Sequence, residues 1–151
     1  YHWLTKVEEL GYRALINEHV TITTENGSRF TLAGVNDLSA HYRNPEHRTD
    51  PELALKGTPE DIVRILLAHQ PGPIHAANRL GVDLQLSGHT HGGQFFPFNL
   101  GVRLAHPYTA GLHDHNGTMI YVNRGTGYWG PPLRVGTSSE IALIRLERAG
   151  N

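Results

Sequence analysis

The sequence predicts an α/β fold in which antiparallel strands are added to a parallel core, and three observations predict it. A chain of 151 residues, 38% of them hydrophobic, is long enough to bury the core of one domain. Two apolar runs, at 62–68 and 82–87, are separated by a helical segment at 74–80, which is typical of a parallel crossover. Asn26-Gly27 lies between two alternating segments and predicts an antiparallel hairpin.

The remaining elements follow from local patterns along the chain. Apolar residues at positions 3, 7 and 10 share one helical face and Gly11 follows them, which predicts a helix over 2–10. Asp50 stands at an N-cap position before a proline, which predicts a short helix over 51–56. The first apolar run reads as a strand buried on both faces. The other predicted segments are strands at 19–23, 30–35, 118–123 and 140–146, and loops at 36–50 and 125–132.

The composition excludes several classes of protein. The chain has no cysteine, which excludes disulfide scaffolds, zinc ribbons, iron–sulfur sites and thiol nucleophiles. A formal net charge of -1 argues against a basic nucleic-acid-binding face. No apolar run approaches the roughly 20 residues that a membrane-spanning helix needs. The chain holds 11 histidines and 17 glycines, so imidazole chemistry on glycine-rich loops is the first chemistry to consider.

Three histidines follow the ends of the two apolar strands. His69 comes directly after the first, and His89 and His91 follow the second between glycines. The carboxyl ends of parallel strands are where open α/β sheets place their ligands, so the three imidazoles are expected to converge. Residues two apart in extended backbone point the same way, and neutral imidazole is the commonest metal ligand. A metal site at His69, His89 and His91 is therefore predicted.

The other polar and aromatic residues carry weaker expectations. His113 and His115 copy the His-x-His spacing, but Asn116-Gly117 follows them and predicts a hairpin tip instead. The remaining histidines, including His106, have no comparable context and are expected in solvated loops or in the core. The candidates to orient the metal-binding imidazoles are Gln70, Thr90 and Asn123. Core packing is the default for the aromatics Phe95, Phe96, Phe98, Tyr128 and Trp129, and an apolar wall for a lipid-like or nucleoside substrate is the alternative.

These segments resemble a known family. Ala68-His69-Gln70-Pro71, followed by residues 86–94 with Gly-His-Thr-His-Gly-Gly-Gln, looks like the last two motif blocks of the calcineurin-like metallophosphoesterases. Residues 32–37 resemble the Leu-Ala-Gly-Val-Asp-Asp stretch of a subgroup that is often membrane-associated, and residues 124–132 resemble its C-terminal loop. The similarity extends over essentially the whole chain. It implies an α/β sandwich with mixed sheets, of which this chain is the C-terminal half.

The resemblance also implies a set of residue roles. His69 and His89 would bind one divalent ion and His91 a second, the pair being Mn, Fe or Zn. Independently of the resemblance, Arg124 in the glycine-rich loop is a candidate to approach the phosphate of the substrate, with a surface salt bridge as the equally supported alternative. The family's Asp-x-His, Gly-Asp and Asn-His-Glu blocks are absent, and the last is expected just upstream of Tyr1. Residues 1–151 are therefore expected to be the C-terminal part of a single domain, inactive without its N-terminal half.

Three functional hypotheses remain open at this point. The first is metal-dependent hydrolysis of a phosphoester through a dinuclear centre, with a phosphodiester or a nucleotide-linked lipid precursor favoured over a phosphoprotein. The second is a non-catalytic module that binds metal or a partner through the same histidines. The third is a structural half-domain that needs its missing half to fold. The expected partners are the phosphoester substrate and the missing half. Membrane attachment would come from a segment outside this chain.

Overall fold

A six-stranded mixed sheet forms the centre of the computed structural model, which describes residues 2–147. The sheet has the order β1-β2-β3-β4-β6-β5, in which β2, β3, β4 and β6 run parallel and the two edge strands run antiparallel. This confirms an α/β fold with mixed pairing. The strands are β1 Glu18–Thr23, β2 Arg29–Gly34, β3 Val63–Leu67, β4 Leu84–Ser87, β5 Gly111–His115 and β6 Thr118–Val122.

Within residues 2–147 the structure has four helices and three single 3₁₀ turns, of which the first helix precedes β1 and the others lie between strands. Asp50 accepts a hydrogen bond from the Leu53 backbone N–H, so the N-cap expected before the second helix is present. The helices are α1 His2–Glu9, α2 Pro51–Leu55, α3 Ile74–Arg79 and α4 Phe98–Ala105. The 3₁₀ turns are Ala40–Tyr42, Pro45–His47 and His91–Gly93.

The core lies on one face of the sheet. Ala33, Leu66, Gln85 and Ile120 occupy one row across β2, β3, β4 and β6, and all four are fully buried. Ile74 from α3 is also fully buried and belongs to the same apolar cluster. Burial of the apolar members of this set removes their surface from water and stabilises the sheet, whereas Gln85 is a buried polar residue. The sheet in turn fixes where the strand ends lie.

The opposite face of the sheet is less covered. The prediction that the first apolar run is buried on both faces is wrong at its ends, because Val63 and Leu67 are 46% and 37% exposed. Only the middle of β3 is enclosed, since Ile65 and Leu66 are buried. Among residues 2–147 no second sheet packs over this face.

Two predictions about regular structure are corrected. The expected strand at 140–146 is absent, although the apolar alternation is present, because no strand within residues 2–147 pairs with it. Its side chains Ile141 and Leu143 are 89% and 99% exposed. Helix α4 was not predicted, because three phenylalanines at positions 95, 96 and 98 mask its periodicity. The first error reflects tertiary context overriding a local pattern, whereas the second is a local pattern that the sequence reasoning did not recognise.

Candidate metal site

Polar side chains follow each of the four parallel strands at the same edge of the sheet. Asp37 comes after β2, His69 after β3, His89 and His91 after β4, and Arg124 after β6. A backbone hydrogen bond of 3.0 Å from the Gly88 N–H to the His69 carbonyl holds two of these loops side by side. The carboxyl ends of the parallel strands therefore deliver an acidic, a basic and three imidazole groups to one region.

His69 and His89 are in direct contact. His69 Nε2 lies 3.1 Å from His89 Nδ1, and the ring centroids are 4.9 Å apart in an edge-on arrangement. Two nitrogens that bind one tetrahedral ion at about 2.0–2.1 Å are separated by about 3.3 Å. Both side chains are exposed, so an ion can reach them from solvent. The pair thus fits the spacing that a shared divalent ion requires.

His91 is held in a different contact. Its Nδ1 accepts a hydrogen bond of 3.1 Å from Arg134 Nη2, and among the described contacts it touches neither His69 nor His89. No group of three or more His, Asp or Glu side chains within residues 2–147 is arranged to hold an ion. The described residues therefore fit two ligands of one ion, and His91 stands apart from them.

The backbone of residues 89–94, the imidazole turn, is unusual. His89 has φ 69°, His91 has φ 50° and Gln94 has φ 55°, so three residues with side chains occupy the left-handed region within six positions. Each costs on the order of 1 kcal/mol relative to ordinary backbone. Residues in such conformations cluster at functional sites, and one of these three, His89, makes the contact with His69.

The surroundings lower the pKa of two imidazoles of the site, those of His89 and His91. Partial burial of the His89 ring lowers its pKa, and the neighbouring charges of His69 and His106 lower it further, while the Asp37 carboxylate acts in the opposite direction. Burial also lowers the pKa of His91, with the Arg134 charge acting in the same direction. A neutral imidazole offers a lone pair to a metal, whereas an imidazolium does not. The electrostatics of the site therefore favour the protonation state that a metal ligand needs.

Two residues of this region were missed in the sequence. Asp37 accepts hydrogen bonds from Gln70 Nε2 and from Ser39. Burial raises the pKa of its carboxyl, but these bonds and the His69 charge outweigh it and lower the pKa. The reasoning that identified His69 also applies to Asp37, because Asp37 likewise follows the end of a parallel strand. His106 lies edge-on to His89 with ring centroids 5.2 Å apart. It follows α4, so nothing in the sequence indicated its place.

The remaining candidates make other contacts. Arg124 forms an ion pair of 3.4 Å with Glu140, which also accepts a hydrogen bond from the Tyr121 hydroxyl. Three residues were expected to orient the imidazoles. In the described structure, none of their side chains forms a hydrogen bond with an imidazole of the site. Their partners are Asp37 for Gln70, the Thr109 carbonyl for Thr90 and the Gly125 N–H for Asn123.

The aromatic side chains form a surface rather than a core. Phe98 stacks on Trp129 with ring centroids 5.0 Å apart, and Phe95 stacks on Phe98 at 5.7 Å. Core packing is wrong for Phe96, Tyr128 and Trp129, which are 73%, 59% and 58% exposed. This surface adjoins the imidazole turn, because Gly93 packs directly against Asn99 of α4.

A cavity of about 410 Å³ opens beside His69 at the ends of β2, β3 and β4. Its wall is mainly apolar, with Leu15, Leu67 and Leu86, and Arg13 adds a cation. His69 is therefore open to this cavity. A further part of a site, or a substrate, can approach the imidazole from this direction.

Comparison with known proteins finds relatives over most of the chain. A Danio rerio protein named transmembrane protein with metallophosphoesterase domain is 40% identical over 97% of this chain and 35% of its own length. An uncharacterized metallophosphoesterase of Helicobacter pylori strain J99 is 50% identical over 76% of the chain and 31% of its own length. The uncharacterized metallophosphoesterase YkuE of Bacillus subtilis is 35% identical over 91% of the chain and 47% of its own length.

The chain spans about a third to a half of the length of these relatives. No protein-family model and no solved structure matches it. Within residues 2–147, none of the helices has the length and apolar character needed to cross a membrane.

Proposed function

The chain belongs to the calcineurin-like metallophosphoesterases, and from this premise we propose that it takes part in metal-dependent hydrolysis of a phosphoester. The observation that carries the proposal is the 3.1 Å approach of His69 Nε2 to His89 Nδ1 at the ends of two adjacent parallel strands. A hydrogen-bonded pair of surface histidines needs neither the left-handed backbone at His89 nor the glycines around it.

We assign His69 and His89 to one divalent ion and His91 to a second, within a dinuclear centre of Mn, Fe or Zn. Bound divalent ions would supply an activated water and would neutralise charge on the phosphoryl oxygens. His69 and His89 would hold the first ion through the facing nitrogens Nε2 and Nδ1, and Asp37 would add negative charge at the same edge. Arg124 would meet the phosphate through the guanidinium nitrogens that its ion pair with Glu140 leaves free.

The substrate class follows from the aromatic surface. Phe98 and Trp129 form an exposed stack beside the turn that carries His91, and Phe96 is exposed next to it. Such a surface favours a phosphoester with an apolar group, such as a phosphodiester or a nucleotide-linked lipid precursor, over a phosphoprotein. The relatives named as transmembrane proteins support the expectation that membrane attachment comes from a segment outside these residues.

We place residues 1–151 within one metallophosphoesterase domain whose other ligand motifs lie outside this sequence. The test is hydrolysis of bis(p-nitrophenyl) phosphate by a protein that contains this chain and those motifs, called here the complete domain. We expect turnover with Mn²⁺, its loss after chelation, and its return when Mn²⁺ is restored. The 151-residue chain alone is expected to be inactive, because it lacks the family's bridging carboxylate.

Metal binding without catalysis is the competing function. The contact of His91 with Arg134 favours it, because it separates His91 from the ion that His69 and His89 would share. If the complete domain takes up Mn²⁺ tightly and hydrolyses no phosphodiester or phosphomonoester, the hydrolase proposal is contradicted and the binding module is supported.

A further inference from the structure

Gln94, the last residue of the imidazole turn, is a buried amide whose side-chain partners lie in one loop far along the chain. Gln94 is 2% exposed, and its side chain bonds both backbone groups of Trp129. Nε2 donates to the Trp129 carbonyl and Oε1 accepts from the Trp129 N–H, each at 2.7 Å. The second hydrogen of Nε2 reaches the Pro131 carbonyl at 3.3 Å. In the part of the chain that the structure describes, no other hydrogen bond reaches these two groups of Trp129, so the Gln94 amide fixes their position.

The ring of Trp129 is held by a second contact. It stacks on Phe98 with ring centroids 5.0 Å apart and 12° between the ring planes. Phe98 begins α4, and α4 packs on the imidazole turn where Asn99 meets Gly93. The backbone and the ring of Trp129 are therefore both fixed relative to the imidazole turn, although the residue is 58% exposed.

Attachment of the loop does not by itself account for the Gln94 side chain. Residues 124–138, the 124–138 segment, are also attached through the Gln94 backbone, whose carbonyl accepts from the Val135 N–H at 2.9 Å and from the Thr137 hydroxyl at 3.0 Å. The side chain adds a hold at one place, around Trp129. Gln94 has φ 55°, a conformation that favours glycine or asparagine, so the presence of glutamine points to the contacts of its side chain.

We propose that Gln94 is a positioning residue for substrate selection, which holds Trp129 against Phe98 as a wall for an aromatic or apolar ester group of the substrate. This inference rests on the proposed function, since it concerns the substrate of the same site. Gln94 acts on the substrate through Trp129, because its own amide is buried and bonded to backbone groups. A ring stacks well only on another ring held at a suitable distance and angle, so loss of the hold should weaken selection.

The experiment compares two phosphodiesters, phenyl p-nitrophenyl phosphate and methyl p-nitrophenyl phosphate, as substrates of the complete domain with Mn²⁺. Both release p-nitrophenolate, so they differ only in the ester group that stays on phosphorus. The wild-type domain should have the higher kcat/KM for the phenyl ester. Gln94→Met keeps the side-chain volume without the amide. It should lower this preference by about five- to tenfold through a higher KM for the phenyl ester, with kcat for the methyl ester changed by less than about twofold.

Two variants make the result specific. Gln85→Met removes another fully buried glutamine, whose amide bonds Ser87 and the Pro71 carbonyl rather than the 124–138 segment. It should leave the preference unchanged, which separates the hold on Trp129 from the general loss of a buried amide. Trp129→Ala should lower the preference as far as Gln94→Met does, and the double variant should lower it no further, because both residues act through the same wall.

Tryptophan fluorescence gives a readout that does not depend on turnover. The part of the emission that Trp129→Ala removes should be quenched more readily by acrylamide in Gln94→Met than in the wild-type domain, and unchanged quenching would contradict the hold. Should Gln94→Met fail to fold, Gln94→Asn tests the same contact. Asparagine tolerates a positive φ, and its shorter side chain withdraws the amide from Trp129, so the same loss of preference is expected.

The outcomes separate this inference from the proposed function. If both esters are hydrolysed and the Gln94 variants change kcat/KM for both by the same factor, the inference is overturned and the hydrolase stands. The same holds if the wild-type domain shows no preference, or if Trp129→Ala retains it. If the complete domain hydrolyses neither ester, the proposed function fails and the inference fails with it.

Discussion

Replacement of His89 with alanine is expected to lower kcat/KM of the complete domain for bis(p-nitrophenyl) phosphate by at least about 100-fold. Loss of a residue that only orients a metal ligand costs about 10–100-fold in affinity or activity, and loss of the ligand itself should cost more. The measurement is steady-state hydrolysis at saturating Mn²⁺, together with the Mn²⁺ content of the purified variant.

Two further variants make this result specific. Alanine at position 89 inherits a φ of 69°, which adds backbone strain, whereas His69 has no positive φ. His69→Ala should therefore reproduce the loss without that strain, and the double variant should be little worse than either single one. His75→Ala removes an exposed imidazole on α3 and should retain full activity. Activity close to wild type in His69→Ala would refute the shared-ion assignment.

Gly93→Ala is expected to destabilise the fold by roughly 2–5 kcal/mol, from backbone strain and overpacking together. Gly93 has φ 83°, and a Cβ atom there would lie 2.6 Å from the Cβ and 2.9 Å from the Cα of Asn99. Since the second of these atoms is backbone, the contact cannot be relieved by a side-chain rotation. Urea denaturation followed by circular dichroism gives the change in the free energy of unfolding.

Gly101→Ala is the matched control for this substitution. Gly101 lies inside α4 with no positive φ, and a Cβ atom there meets nothing within 4 Å. Alanine should therefore stabilise the fold by about 0.5–1 kcal/mol, the ordinary gain of replacing glycine within a helix. Equal destabilisation by both substitutions would contradict the close packing of the imidazole turn on α4.

Much of the sheet could be predicted from the sequence because its signals are local. The hairpin at Asn26-Gly27, the Asp50 N-cap and the strand that ends before Gly88 depend on turn chemistry and short apolar runs. The segment 140–146 shows the limit of this reasoning. Its alternation predicts a strand, but a strand exists only where another strand pairs with it, and that depends on the rest of the fold.

The candidate site, like the sheet, could be predicted only in part from the sequence. His69 and His89 were predicted to converge because strand ends in a parallel sheet share one edge, and the structure brings them into contact. The contact of His91 with Arg134 could not be predicted, because the two residues are 43 positions apart and meet only through the folded 124–138 segment. Position after a strand end predicts proximity, but it does not predict which way a side chain on a left-handed residue turns.

The most direct measurement is a crystal structure of the complete domain grown with Mn²⁺, in which anomalous scattering locates the ions. The account predicts one ion bound by both His69 Nε2 and His89 Nδ1, at a separation typical of metal–imidazole bonds. An ion held elsewhere, or one held by a single member of this pair while the other points into solvent, would contradict it.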